Sequence, residues 1–309
     1  MPRAPSNLIV VVGSSNTDMI LRMDRIPGPG ETLLGGEFAV APGGKGANQA
    51  VAAARAGGNV AFVACLGSDS LGDEALARFK AEGMDVSGIV RDREKPSGVA
   101  LIFVSKAGEN SIGVAGGANQ RLLPKHIRAA RALIAKARVL VLQLETPLET
   151  VEEAARIGRK AGARVILNPA PAQRLPDSLL RNVSLLTPNE HEASILTGIK
   201  VTGPSTAAKA ARVLLAKGVG SVIVTLGSQG AFLAEPASTA LVPGFKVKAV
   251  DTTAAGDVFN GALAVGLARG SSILDAIRFA HAAAAISVTR AGAQPSIPTK
   301  REIETLLRK

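Results

Sequence analysis

Residues Asp251-Thr252-Thr253-Ala254-Ala255-Gly256-Asp257-Val258-Phe259-Asn260-Gly261 set small side chains ahead of an apolar helical stretch, with one carboxylate at the junction. The helix is expected to begin near Gly256 and to run to Arg269. The backbone N–H groups of Ala254, Ala255, Gly256 and Asp257 then point at open space, with the positive end of the helix dipole behind them. Such a helix start is an anion site, suited above all to phosphate. A carboxylate there is repelled by a bound phosphate unless it has work to do. Asp257 is placed to take the proton from an attacking hydroxyl. It can equally be only the N-cap of its helix, and both roles stand at this point.

On either side of this segment, short runs rich in β-branched residues alternate with Ala-rich helical stretches. Strands are expected at 8–13, 59–67, 99–105, 139–144, 164–168, 183–187 and 221–227. Helices are expected at 46–56, 71–81, 124–135, 147–161, 206–217, 256–269 and 272–288, several ending at a glycine suited to a C-cap (Gly57, Gly83, Gly162, Gly218, Gly270). Strands that alternate with helices imply a largely parallel sheet covered on both faces. No linker or repeat divides the chain, so residues 1–309 read as a single α/β domain. Polar residues recur just past the strand ends: Asn16 and Asp18, Glu145, Asn168, Asn189 and Glu192, and Thr225 to Gly227. In open parallel sheets ligands sit outside those ends.

Two stretches break the rhythm. Residues 17–42 carry Pro27, Gly28, Pro29, Gly30, Gly35, Gly36 and Pro42, too punctuated for a helix. Residues 97–117 read as a hairpin turning between Lys106 and Asn110, whose first arm, Val99 to Val104, is apolar on both faces. A flap with one covered face should alternate, so something else is expected to cover the second, most simply a twin subunit.

A second glycine-rich segment, Gly43-Gly44-Lys45-Gly46-Ala47-Asn48-Gln49, also opens a helix, with Lys45 and Asn48 as donors. It lacks Walker A spacing, and no Gly-x-Gly-x-x-Gly fingerprint argues for a dinucleotide enzyme. His126, His191 and His281 are too scattered for a zinc site, and Gly-x-Ser-x-Gly is absent, which leaves a hydrolase no nucleophile elbow.

Composition narrows the field further. Apolar residues make up 47% of the 309 and charged residues 20%, the balance of a folded globular chain. Lys and Arg outnumber Asp and Glu by 36 to 25, a field that suits an anionic ligand, but the basic residues are dispersed as on solvated helix faces. With eight Phe and neither Tyr nor Trp, platforms for stacking nucleic-acid bases are scarce, and no nucleic-acid partner is expected. The lone Cys65 lies in an apolar run, as a buried thiol in a reducing compartment does. With no signal-peptide pattern and no apolar run of membrane-spanning length, a cytoplasmic location without a membrane partner is expected.

Taken together, Gly13-Ser14-Ser15-Asn16-Thr17-Asp18, the Gly43–Ala50 run and the Asp251–Gly261 segment resemble the ribokinase/pfkB family of carbohydrate kinases, in order and spacing along essentially the whole chain. Thr187-Pro188-Asn189-Glu190-His191-Glu192 fits that family's Asn-x-x-Glu motif, and Asn168-Pro169-Ala170-Pro171-Ala172 and Arg290–Ser296 are similar to it as well. The resemblance implies a three-layer α/β/α fold with a mostly parallel central sheet and a small protruding β-sheet lid made from 17–42 and 97–117. It implies transfer of the ATP γ-phosphoryl group to the 5-hydroxyl of D-ribose. Relatives acting on deoxyribose, fructose or a nucleoside, or a non-catalytic sugar-binding regulator, are the alternatives. Asp257 would be the base and the amides of Ala254, Ala255, Gly256 and Asp257 the anion hole. The sugar would fall to Asn16, Asp18, Gly44, Lys45, Asn48 and Glu145. The nucleotide would fall to Asn189, Thr225, Gly227, Gly230 and Gly256, with His281 either there or in the core. Asn189 and Glu192 would organise Mg²⁺. Asp251, Thr253, Ser287, Arg290, Gly292 and Ser296 would hold K⁺, Arg290 through its carbonyl. The outer face of the lid would form a homodimer.

Overall fold

A computed structural model describes residues 7–308. Its central sheet has eight strands in the order Thr239–Val242, Ala231–Ala234, Val222–Thr225, Leu185–Leu186, Arg164–Leu167, Val139–Leu142, Leu8–Val12, Asn59–Val63. From Val222–Thr225 to Asn59–Val63 all pairings are parallel; the two strands beyond are antiparallel. The strands are apolar on both sides because both sides are buried. Val10 and Val12 enter one core with Leu140, Leu142, Val165 and Leu167, beneath Ile127, Val151, Ala154 and Leu214. Ile9 and Val11 enter the other with Val139, Val141 and Ile166, beneath Val51, Phe79, Val258, Leu263 and Ile277. This is the expected three-layer α/β/α arrangement.

Several boundaries differ from the sequence reading. The 59–67 run is two strands, Asn59–Val63 and Cys65–Gly67, the second pairing with Val90–Asp92 in a separate small sheet. The 124–135 helix is interrupted at Ala130 into Pro124–Ala129 and Arg131–Ile134. Helices Glu190–Thr197 and Lys300–Leu307 and the antiparallel pair Ala231–Ala234 and Thr239–Val242 were not anticipated.

Both irregular stretches build one separate four-stranded sheet, ordered Glu37–Gly43, Asn16–Met23, Gly98–Ser105, Asn110–Ala115. The punctuated 17–42 stretch is thus a long-looped hairpin, with Pro27 to Gly36 in the loop and Pro42 within the second strand. Register puts Asp18, Ile20, Ala100, Ile102, Ile112 and Val114 on one face and Met19, Phe38, Val40 and Leu101 on the other. Apolar side chains are exposed on both, with Phe38 at 64%, Leu101 at 52% and Val114 at 57%. The two-faced apolar character read from residues 99–104 is therefore real and uncovered within one chain.

Candidate active site

The chain runs from Leu8–Val12 outward to the edge strand Asn59–Val63 and later returns to Val139–Leu142 on the opposite side. That reversal opens a crevice at the strand ends, where Gly13-Ser14 and Gln143-Leu144-Glu145 emerge. Two helices start beside it, Lys45–Arg55 and Ala255–Ala268.

At the first helix start the protein supplies its own acceptors. Glu145 Oε2 accepts from the Lys45 N–H at 3.0 Å and from Ser14 Oγ at 2.5 Å. Ser14 Oγ accepts from the Gly46 N–H at 3.2 Å, and the Ser14 carbonyl from the Ala47 N–H at 2.8 Å. Asp18 lies close by, for a Cβ on Gly43 would stand 2.2 Å from its Oδ1, and one on Gly44, whose φ is 86°, would stand 2.7 Å from the Asn16 nitrogen. Only glycine fits this close approach of hairpin and helix start.

The second helix start is open. Ala254 caps it in the left-handed region, at φ 60°, the one non-glycine residue so placed among those described. The turn this makes lets the Thr252 carbonyl accept from the Ala255 N–H at 3.2 Å. Ala255, expected to offer a free donor, is thus partly engaged. The N–H groups of Gly256 and Asp257 find no acceptor among the described residues, and no atom lies within 4 Å of where a Gly256 side chain would go. A cavity of about 170 Å³ lies in front of them, lined by Lys45, Asn168, Thr187, Asn189, Glu192, Thr225, Ala254, Ala255, Gly256, Asp257 and Asn260.

Asp257 is buried, and both carboxylate oxygens are held from the other helix: Oδ2 accepts from Asn48 Nδ2 at 3.1 Å and Oδ1 from Gln49 Nε2 at 2.9 Å. Burial pushes its pKa up, while Lys45 and the two amides pull the other way. Lys45 is partly buried, which disfavours its charge, but Asp257, Glu145, Glu192 and Asp18 outweigh that and hold it above the usual lysine range. Burial, with the charges of Glu145 and Asp257, raises Asp18 to about 6. Carboxylates, amides and an ammonium around one cleft can hold a polyol by its hydroxyls, with an ionisable base at one end and unpaired amides next to it.

Asn189 and Glu192 form a reciprocal cap on the Glu190–Thr197 helix. Glu192 Oε2 accepts from the Asn189 N–H at 2.9 Å, Oε1 from Asn189 Nδ2 at 3.0 Å, and Asn189 Oδ1 from the Glu192 N–H at 2.8 Å. Glu192, its pKa raised by burial, still lines the cavity. No cluster of three or more His, Cys, Asp or Glu suited to a metal exists among the described residues. One carboxylate beside an amide oxygen fits an ion such as Mg²⁺, which keeps several of its waters.

The Asp251 carboxylate accepts from the Thr253 N–H at 2.9 Å and hydroxyl at 2.6 Å through Oδ1, and from the Gly292 N–H at 2.8 Å through Oδ2. Burial alone would raise its pKa, but these donors lower it, so the group stays ionised. Ser287 and Ser296 hydroxyls donate to the carbonyls of Ala284 and Ala293, and the Arg290 guanidinium pairs with Glu302. Hydroxyl, carboxylate and carbonyl oxygens are the donor set a K⁺ ion takes, and the guanidinium is occupied elsewhere.

Three expected nucleotide residues, Gly227, Gly230 and His281, stand apart from the cavity lining. A Gly230 side chain would strike the Val242 carbonyl at 2.1 Å, so this glycine serves a turn packing. His281 is buried against Phe259, ring centroids 5.2 Å apart, with Nε2 unpartnered; burial lowers its pKa to about 4 and keeps it neutral. Thr225 lines the cavity, bridged to Asn189, and Gly227 faces open space.

Sequence reasoning passed over a set of buried amides. Asn119 donates to Asn16 Oδ1 at 2.7 Å and accepts from the Ser15 N–H at 2.8 Å. Gln294 donates to Asn48 Oδ1 at 3.2 Å, and Asn260 accepts from the Thr187 hydroxyl at 2.6 Å. Their one signal is an Asn or Gln inside a run otherwise apolar or small, as at Gln49, Gln143 and Asn260.

Residues 6–300 match the model of the pfkB family of carbohydrate kinases. The chain is 49% identical over 294 residues to the ribokinase of Haemophilus influenzae, covering 95% of this chain and 96% of that one. It is 39% identical over 300 residues to the deoxyribokinase of Salmonella typhi, covering 97% and 98%. Among solved structures, it is similar to Arabidopsis thaliana ribokinase complexed with ribose and ATP, with a TM-score of 0.93, 32% identity, and 99% and 100% of the two chains covered. No helix among the described residues is long and apolar enough to cross a membrane.

Proposed function

The chain belongs to the pfkB family of carbohydrate kinases, and on that premise we propose that it transfers the γ-phosphoryl group of ATP to the 5-hydroxyl of D-ribose, giving ribose 5-phosphate and ADP. The observation that carries this reading is the pair of free amides, Gly256 and Asp257, opening on the same cavity as the Asp257 carboxylate. Asp257 takes the proton of the attacking hydroxyl as the bond to phosphorus forms. The free amides receive the charge that gathers on the phosphoryl oxygens, where each such donor is typically worth about 10²–10³ in turnover. Alignment and charge stabilisation are most of what phosphoryl transfer requires.

Asn16, Asp18, Gly44, Lys45, Asn48 and Glu145 hold the sugar, with Asp18 on the vicinal diol. Thr225, Gly227 and the Asn189 region receive the nucleotide. Asn189 and Glu192 hold Mg²⁺ through water; bound there, the ion neutralises charge on the β- and γ-phosphates. Asp251, Thr253, Ser287, Arg290, Gly292 and Ser296 seat K⁺ behind the loop that carries the amides. The chain acts as one kinase unit in the cytoplasm. The four-stranded sheet serves as its lid, and the exposed Phe38, Val40 and Leu101, on the face away from Asp18, are covered by a second copy.

A second reading, 2-deoxyribose as the preferred acceptor, draws on the likeness to a deoxyribokinase. ADP release measured with purified protein against ribose, 2-deoxyribose, fructose and nucleosides separates the two. Ribose is expected to give the highest kcat/KM, because a buried acceptor such as Asp18 is left unpaired when a hydroxyl is missing. Preference for 2-deoxyribose overturns the first reading, and inertness toward every sugar overturns both.

A further inference from the structure

Gln49 sits one residue beyond Asn48 on the Lys45–Arg55 helix and is fully buried. Its two amide hydrogens go to different oxygens, Asp257 Oδ1 at 2.9 Å and Asn168 Oδ1 at 3.1 Å. Its Oε1 accepts from Gln143 Nε2 at 2.7 Å. Asn168 in turn donates to the Thr187 carbonyl at 3.2 Å. That donation fixes Asn168 with its oxygen toward Gln49, so only the NH₂ side of Gln49 can face it. The Asp257 carboxylate sets the same orientation, because a flipped Gln49 would turn its oxygen against a carboxylate, and the Gln49 oxygen so placed takes the NH₂ of Gln143. Gln143 fills its own place at a cost. Its Oε1 is buried with no partner, packed where a side chain on Gly13 would stand at 2.0 Å.

We propose that Gln49, locked in one amide orientation by Asn168 and seated by Gln143, is a positioning residue that aims the Asp257 carboxylate into the cavity and supports its anionic form. The inference rests on the reading of Asp257 as the base. The charged groups around that carboxylate are Lys45, Glu145, Asp18 and Glu192, and among them Lys45 alone favours ionisation. Asn48, the other donor, is expected to bind sugar as well, whereas Gln49 lies behind the base. Its whole hydrogen-bonding capacity is spent on the protein.

The test uses the full chain with Gln49→Leu, Gln143→Met and the double variant, each checked for folding by its melting temperature. In Gln49→Leu the Asp257 carboxyl, followed by ¹³C NMR in the free protein and assigned against Asp257→Asn, should titrate about one to two units higher. The acid limb of kcat should move the same way while the sugar KM holds. Gln143→Met should give a smaller shift in the same direction, and the double variant should match Gln49→Leu alone, since Gln143 acts through Gln49. Folded variants whose Asp257 titration is unmoved, or a double variant that sums the two single shifts, overturn the proposal. If Gln49→Leu does not fold, Gln143→Met decides by the same shift or its absence. A wild-type chain inert toward all sugars whose Asp257 titration still responds to these changes defeats the kinase reading and leaves the positioning role standing.

Discussion

Two helices begin within reach of one cleft, and the protein treats their N-termini in opposite ways. At Lys45 each early N–H has an acceptor, supplied by Glu145, Ser14 Oγ and the Ser14 carbonyl. At Ala255 the next two donors, Gly256 and Asp257, are left over, although a helix dipole of the same sign stands behind both ends. The first end has become scaffold: its charge is spent on a carboxylate that also orients Ser14 and helps raise Asp18. The second keeps its charge for an outside anion. A helix start is thus read as a binding site by what its amides lack, and glycine content alone would have ranked the two ends the other way.

Removing the base should test the open end most severely. Asp257→Asn keeps the shape, and ATP binding followed by calorimetry should persist, while turnover falls by about 10²–10⁴. Near-normal turnover would end the assignment. The next experiment makes the open end resemble the closed one. Gly256→Asp has room for its side chain and places a carboxylate where Glu145 serves the other helix. The melting temperature should hold or rise, because an acidic residue in the first turn stabilises a helix, whereas kcat should drop by about 10²–10³ with weaker nucleotide binding. Unchanged kinetics would mean that the free amides are not used.

The reverse change, Glu145→Gln, should be milder, raising the sugar KM by about tenfold through lost charge-assisted bonds. It also carries a pH signature. Asp18 is raised from 3.8 to about 6 by burial first and the Glu145 charge second, so the wild-type sugar KM should climb as pH falls through about 6. In Glu145→Gln that climb should begin at lower pH. The sign for stability is opposite to the usual carboxylate case. A raised folded pKa means that the native state holds the Asp18 proton more tightly than the unfolded chain. This group therefore favours folding at low pH, and its contribution is lost as pH rises from about 4 to about 6. Asp18→Asn should accordingly melt higher than wild type at neutral pH while binding sugar poorly.

The parallel sheet was legible because its strands are apolar on both sides and its helices are bounded by glycine. The Asn16–Met23 and Glu37–Gly43 hairpin, hidden by its Pro and Gly loop, was reached only through the family resemblance, and the short Ala231–Ala234 and Thr239–Val242 pair around Pro236 escaped. In the site, charged and glycine-rich positions announced themselves by chemistry and order. The amides did not, since Gln49 meets Gln143, Asn168 and Asp257 across 94, 119 and 208 residues, and a lone Gln carries no sign of its partner. Gly230 and His281, expected at the nucleotide with the core as the alternative for His281, pack in a turn against Val242 and on Phe259.

Ala254 carries one more implication. A methyl-bearing residue at φ 60° costs about 1 kcal/mol that glycine would avoid. Replacement by glycine would relieve that tension and introduce slack, letting the two donors wander between turnovers. A thermometer would score the substitution as harmless or even beneficial, while the catalytic cycle lost its timing. At this position improvement of the fold and improvement of the enzyme pull apart.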